Sequence, residues 1–133
     1  MSIVLETSAL ARIFLREPGY ERYQYALFSA DQAYVPVCCL VEFASVWRLG
    51  ETRLGWLETL LELPNIAVAG LDADHGQIAV DAVVKYGKGS GHPAQLNFGD
   101  CLSYAVAKGR DLPLLYVGDD FRHTDITAVL DQD

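Results

Sequence analysis

Short apolar runs alternate along this chain with longer stretches in which apolar residues recur at helical spacing. The first run is Ile3-Val4-Leu5, and Glu6, Thr7 and Ser8 follow it at once. Branched apolar residues in a short run read as a buried strand. Thr7-Ser8 can cap a helix starting near Ala9, and Leu10, Ile13 and Phe14 give a stripe over residues 8–16. Pro18-Gly19 breaks that helix, and a tyrosine-rich second one is predicted over residues 20–29. Tyr34-Val35, closed by Pro36, is a second short strand, followed by a helix over residues 37–48 with Gly50 as its stop. Within that helix Glu42 is the only charge up to Trp47, which predicts near-complete burial and a carboxylate facing a polar cleft or a metal, in preference to a narrow solvent-facing stripe.

A fourth helix is expected over residues 51–63, with Leu54, Leu57, Leu60 and Leu61 on its apolar face. Residues 66–68 make a third strand. Asp72 caps a fifth helix running to Tyr86, with Ile78, Val80, Ala82 and Val83 inside. Asn97 caps a sixth, with Asp100 three residues on in capping-box position, and Gly109 ends it. Residues 114–117 form a fourth strand ending in Gly118-Asp119-Asp120, and residues 126–130 a fifth, edge strand. Strands separated by pairs of helices predict an α/β fold: a three-layer α/β/α sandwich on a central, mostly parallel sheet of four to five strands, in one domain over residues 1–133.

Composition sharpens this in three ways. A chain of 133 residues, 51% hydrophobic, can bury a sizeable core. No apolar run reaches the ~18 residues of a membrane span and the N-terminus lacks a secretory pattern, so a soluble cytoplasmic protein is expected. Three cysteines without a C-x-x-C pair, and scattered histidines, predict buried thiols rather than disulfides or a zinc site. The loop over residues 85–93 is basic and glycine-rich but lacks the spacing of a phosphate-binding P-loop. The net charge of −8 opposes a bare nucleic-acid surface, unless several carboxylates converge on a cation that faces the phosphate.

Such a convergence is what the pattern predicts. Glu6 and the pair Asp119/Asp120 follow strands, Asp100 opens a helix, and Glu42 sits in an apolar one. In open parallel sheets the carboxyl ends of the strands are where ligands bind. Carboxylates without histidine or cysteine suit a hard cation, Mg²⁺ or Mn²⁺, which can activate water and clamp a phosphodiester.

The chain resembles the PIN-domain ribonucleases and, within them, the VapC toxins of bacterial toxin–antitoxin pairs. The likeness rests on Ile3-Val-Leu-Glu-Thr-Ser-Ala-Leu10, on Glu42 in its apolar helix and on Gly91-His-Pro-Ala-Gln-Leu-Asn-Phe-Gly-Asp-Cys101. It rests also on Leu112-Pro-Leu-Leu-Tyr-Val-Gly-Asp-Asp-Phe121 with Thr124-Asp125-Ile126. The resemblance implies a Mg²⁺- or Mn²⁺-dependent endoribonuclease acting on tRNA or rRNA. It also implies a homodimer and a VapB-type antitoxin through which DNA is met only indirectly. Glu6 and Asp100 would be principal metal ligands and Glu42 would join them or position water. Asp120, in preference to Asp119, would complete the site, and Ser8 would be a polar helper. Arg12, Lys88 and Arg122 would meet RNA phosphates.

The family has Asp where this chain has Glu6, a longer side chain by one methylene, which predicts weakened metal binding and reduced cleavage. A rival reading is therefore a PIN fold that cleaves weakly and serves mainly to bind its antitoxin. A phosphatase of the aspartyl-nucleophile type would need Asp at both ends of the Glu6-Thr7-Ser8 segment, and neither is there.

Overall fold

The computed structural model describes residues 1–132. Its sheet has four strands, all parallel: β1 (Ile3–Leu5), β2 (Ala33–Pro36), β3 (Ile66–Ala69) and β4 (Leu114–Leu115), in the order β3-β2-β1-β4. Six α-helices connect them in pairs: α1 (Thr7–Leu15), α2 (Tyr20–Ser29), α3 (Val37–Ser45), α4 (Arg53–Leu61), α5 (Ala73–Tyr86) and α6 (Phe98–Arg110). Among the described residues no helix is long and apolar enough to cross a membrane.

The sheet divides two apolar clusters. Ile3 and Leu5 pack with Leu10, Leu27, Val35, Phe43 and Leu57 on the face covered by α1 to α4. Val4 points to the other face, among Ala82, Tyr86, Tyr104, Val106 and Leu114 under α5 and α6. The period-2 alternation of strand side chains thus assigns three consecutive apolar residues to two cores, which is why β1 carries no polar position. The chain adds β2 and β3 on one side of β1 and β4 on the other. The carboxyl ends of β1 and β4 therefore flank the point where strand order reverses, the crevice that such sheets use for ligands.

Several boundaries differ from expectation, each for a local reason. α1 starts at Thr7, one turn position earlier, because Glu6 and not Thr7 or Ser8 is the cap: the Glu6 carboxylate accepts the Ser8 amide at 2.8 Å. α3 stops at Ser45 and tightens into a 3-10 turn at Trp47–Leu49. There the buried Arg53 guanidinium donates to the carbonyls of Ala44 and Gly50 and stacks on Trp47, satisfying carbonyls that a longer helix would have paired. α4 is shorter at both ends than predicted. α6 runs through Gly109 to Arg110, and an added Cβ at Gly109 would meet the His75 ring of α5 at 2.7 Å. That glycine serves close packing, and Asp111 takes the left-handed cap. The fifth strand is reduced to one parallel bridge, Leu114 with Ala128, and β4 itself to two residues.

The apolar faces also shift. Leu54 on α4 and Val80 and Val83 on α5 are exposed, and α5 buries Ala79, Ala82 and Tyr86 instead. α3 is not buried all round either: Cys39 and Phe43 face the core, whereas Val37 and Val41 are exposed.

Candidate metal and nuclease site

The site begins at the end of β1. The backbone turns sharply into α1, and the Glu6 side chain folds back over the first turn. One of its oxygens accepts both the amide and the hydroxyl of Ser8. The same Ser8 hydroxyl accepts the Val117 amide at 2.9 Å, just beyond β4. Ser8 therefore ties the ends of the two strands together and fixes the carboxylate between them. Glu6 is buried, and that burial is the first reason its carboxyl is pushed up to about 8. The Cys39 thiol and Asp100 push the same way, against the Ser8 hydrogen bonds.

Asp100 enters from the first turn of α6. It completes a capping box: the Asn97 side chain accepts the Asp100 amide at 2.8 Å, and the Asp100 carboxylate accepts the Asn97 amide at 3.0 Å. One Asp100 oxygen is left for other work. Burial raises its carboxyl to about 6, offset by the Asn97 amide and reinforced by the nearby charges of Asp120 and Glu42; Lys88 lowers it. The acid thus has both roles that the sequence allowed, a helix cap and a charge in the strand-end crevice.

Glu42 reaches the same place from α3. Its carboxylate lies so close to the start of α6 that an added Cβ on Gly99 would sit 2.6 Å from Glu42 Oε2. Gly99 is therefore what lets the two helices deliver their acids together. Glu6, Glu42 and Cys39 bring one ligand atom each to within 4.8 Å of one another. Beside Cys39, Thr7 Oγ1 is buried with no hydrogen-bond partner. Neighbouring carboxylates, with Glu6 and Asp100 pushed up mainly by burial, next to an orphaned oxygen, fit a divalent cation.

The structure separates the two acids after β4. Both are exposed, but Asp119 lies 3.5 Å from the Arg122 guanidinium and lines a different cavity, whereas the charge of Asp120 is felt at Asp100. Asp125 is turned away altogether, bonded to Tyr104 at 2.6 Å and to Lys108 at 3.0 Å.

The predicted phosphate contacts divide likewise. Lys88 sits near Asp100, on a loop anchored by its amide to the Leu96 carbonyl at 3.0 Å. Arg122 is engaged by Asp119. Arg12 bonds the Pro18 carbonyl at 2.8 Å and lines a polar cavity of about 470 Å³ with Arg22, Tyr23, Val117, Gly118 and Asp119. A second cleft of about 330 Å³, between α3 and α6, opens beside Glu42 and is walled by Cys38, Val41, Phe98, Gly99 and Leu102. Among these wall residues, Phe98 is the most exposed, at 78%.

Sequence reading missed Cys39, Gly99 and Thr7. Cys39 stands three residues before Glu42, a spacing that puts both on one side of α3, and this was the available signal. Gly99 had none beyond its place next to Asp100. Its role depends on an approach between helices far apart in the chain.

Comparison with known proteins agrees with this geometry. The PIN domain family matches residues 3–126. Ribonuclease VapC42 of Mycobacterium tuberculosis is 38% identical over 130 residues, covering 93% of this chain and 96% of its own. The crystal structure of Mycobacterium tuberculosis VapC20, described as a sarcin-ricin loop cleaving toxin, superposes with a TM-score of 0.77 at 17% identity. It covers 96% of this chain and 98% of its own. VapBC2 from Rickettsia felis, bound to a DNA fragment from its promoter, gives a TM-score of 0.68 at 14% identity, covering 99% and 98%. The fold, the strand-end acids and the near full-length identity together assign this chain to the PIN-domain family and, within it, to the VapC ribonucleases.

Proposed function

We propose that this protein is the toxin of a VapBC-type toxin–antitoxin pair, an endoribonuclease that hydrolyses phosphodiester bonds of tRNA or rRNA with Mg²⁺ or Mn²⁺. The observation that supports the reading is the meeting of Glu6 and Glu42 beside the strand-order reversal, with Asp100 and Asp120 within electrostatic reach. In this reading Glu6, Asp100, Glu42 and Asp120 hold the cation. Bound there, it supplies an activated water and stabilises charge on the phosphate. Ser8 orients Glu6 through the hydrogen bond from its hydroxyl, and Asn97 orients Asp100. Lys88 contacts the phosphate nearest Asp100, with Arg12 and Arg122 further along the strand. A VapB-type antitoxin covers the acidic crevice, the toxin is a homodimer, DNA is met through the antitoxin, and the complex works in the cytoplasm.

The test is cleavage of total tRNA and rRNA with Mn²⁺. The protein should cut, and Asp100→Asn should lower the rate by about 100-fold or more while keeping the capping bond. Equal cutting by the two proteins would remove Asp100 from the site. One observation favours a second reading, in which the protein mainly binds its antitoxin and cleaves weakly. Glu6 is already engaged as the cap of α1, so part of its capacity for a cation is spent on Ser8. Tight antitoxin binding together with no metal-dependent cleavage would favour it.

A further inference from the structure

The first turn of α3 carries adjacent cysteines, Cys38 and Cys39, and the two differ in where they point. Cys38 is half-buried and walls the cleft between α3 and α6. Cys39 is 1% exposed and faces inward. A buried cysteine is ordinarily a small hydrophobe. Cys39 belongs to the core beside Phe43, but its sulfur also meets polar groups. Its sulfur lies 3.1 Å from the Ser103 hydroxyl and within 4.8 Å of a carboxylate oxygen from both Glu6 and Glu42. The unpartnered Thr7 Oγ1, on a residue only 8% exposed, is next to it. Three ionisable donors, with an orphaned oxygen beside the sulfur, therefore meet at the edge of the apolar core.

We propose that Glu6, Cys39 and Glu42 form a mixed carboxylate–thiolate site for a thiophilic divalent cation of the Zn²⁺ or Cd²⁺ class, overlapping the position of the hard cation used in cleavage. An all-oxygen cluster suits Mg²⁺ or Mn²⁺, and one sulfur donor tilts the preference toward softer ions; Zn²⁺ in any case exceeds Mn²⁺ in affinity for a given donor set. On a tetrahedral ion with a metal–sulfur bond of about 2.3 Å and metal–oxygen bonds of about 2.1 Å, the donors stand roughly 3.5 Å apart. The three ligand atoms are already within 4.8 Å, so closing the site asks for about an ångström. Rotation of the half-buried Glu42 side chain can provide it. As the metal–sulfur bond forms, the thiol proton leaves to solvent, and no redox change is involved. Because both cations use Glu6 and Glu42, a thiophilic ion occupying this site excludes the hard one. That consequence rests on the nuclease reading above, whereas the binding site does not.

The experiment uses Co²⁺ as a spectroscopic probe of the intact chain, with no RNA present. Adding Co²⁺ to the wild type should produce a near-ultraviolet sulfur-to-cobalt charge-transfer band that Zn²⁺ abolishes on displacing the probe. The band should persist in Cys38→Ser and vanish in Cys39→Ser and Cys39→Ala, each checked for native circular dichroism. Zn²⁺ affinity should fall by about tenfold or more in Cys39→Ser, against about threefold or less for Mn²⁺. Absence of the band in wild type overturns the proposal without recourse to any variant. So does its survival in Cys39→Ser, or its loss in Cys38→Ser alone. A protein that shows the band yet cuts no RNA refutes the nuclease reading and leaves this site standing. A protein that cuts RNA but shows no band does the reverse.

Discussion

Two helix starts deliver the buried acids of this molecule, and they solve the same electrostatic problem differently. At α6 the acid sits inside a reciprocal cap: Asn97 and Asp100 exchange side-chain and backbone bonds, and Lys88 stands nearby. Its carboxyl rises only to about 6. At α1 the acid is itself the cap, more deeply enclosed, and the groups that surround it include the Cys39 thiol and Asp100. Its carboxyl rises to about 8. The difference teaches that the backbone around Asp100 favours its ionised form. At Glu6 desolvation outweighs the two bonds to Ser8 and favours the protonated form. Near neutral pH without metal, Glu6 holds its proton and Asp100 is largely ionised.

The comparison breaks most decisively if Glu6 can be made to behave like Asp100. Asp is a better N-cap than Glu and is one methylene shorter, so it can cap α1 through the Ser8 amide while keeping an oxygen directed at the crevice. Glu6→Asp should raise Mn²⁺-dependent cleavage by about tenfold, measured as initial rates on the same RNA. Unchanged rates would mean that the reach of Glu6 already suits the cation.

A second measurement sharpens the comparison through pH. The unfolded chain releases the Glu6 proton near the ordinary value of 4.5, the folded one only near 8. Between those values the folded state binds more protons, so stability is full below the lower value and is lost as pH rises through the upper. Asp100 adds the same sign over a narrower window, from 3.8 to about 6. In chelator, the Tm of the protein should fall by about 15 °C between pH 5 and pH 8. Glu6→Gln should remove most of the decline above pH 6, where Asp100 no longer contributes. Mn²⁺ should restore wild-type Tm at pH 8, because a bound cation takes the place of the proton. A flat Tm profile in the wild type would show that Glu6 is better solvated than its enclosure implies.

How far the molecule was legible in its sequence follows the same division between local and distant causes. Glu6, Asp100 and the acids after β4 could be placed because each is tied to the nearest strand end or helix cap, which a few neighbouring residues determine. The parallel sheet follows from strands alternating with helix pairs, whereas the order β3-β2-β1-β4 depends on pairing between distant segments and is seen only in the structure. The left-handed cap at Asp111 was misplaced to Gly109, because glycine has two uses and the sequence does not say which applies. Val80 and Val83 were expected inside α5 because both are apolar, yet the packing against α6 selects the smaller Ala79 and Ala82. Cys39 is buried in the core as the sequence predicts, but its approach to Glu6, just after β1, and to Glu42, one turn further along α3, has no local motif to announce it.

Gly99 gives the smallest and most specific test, because it acts on the geometry joining the two helix starts and not on any acid. An alanine Cβ there would lie 2.6 Å from Glu42 Oε2 but 3.5 Å from the Asn97 side-chain oxygen, so the cap is spared and the carboxylate must move. The obstacle is the far end of a flexible side chain, and alanine is the better helix former by about 1 kcal/mol. Gly99→Ala should therefore leave Tm unchanged or slightly higher. Cleavage should fall by about threefold through displacement of Glu42 alone, with the pH dependence of Tm retained because Glu6 and Asp100 keep their bonds. If Tm drops instead, the close approach of α3 to α6 is held by backbone contact and Gly99 is a packing residue. If neither quantity changes, Glu42 has room to deliver its carboxylate by another path, and the crevice tolerates more than one arrangement of its acids.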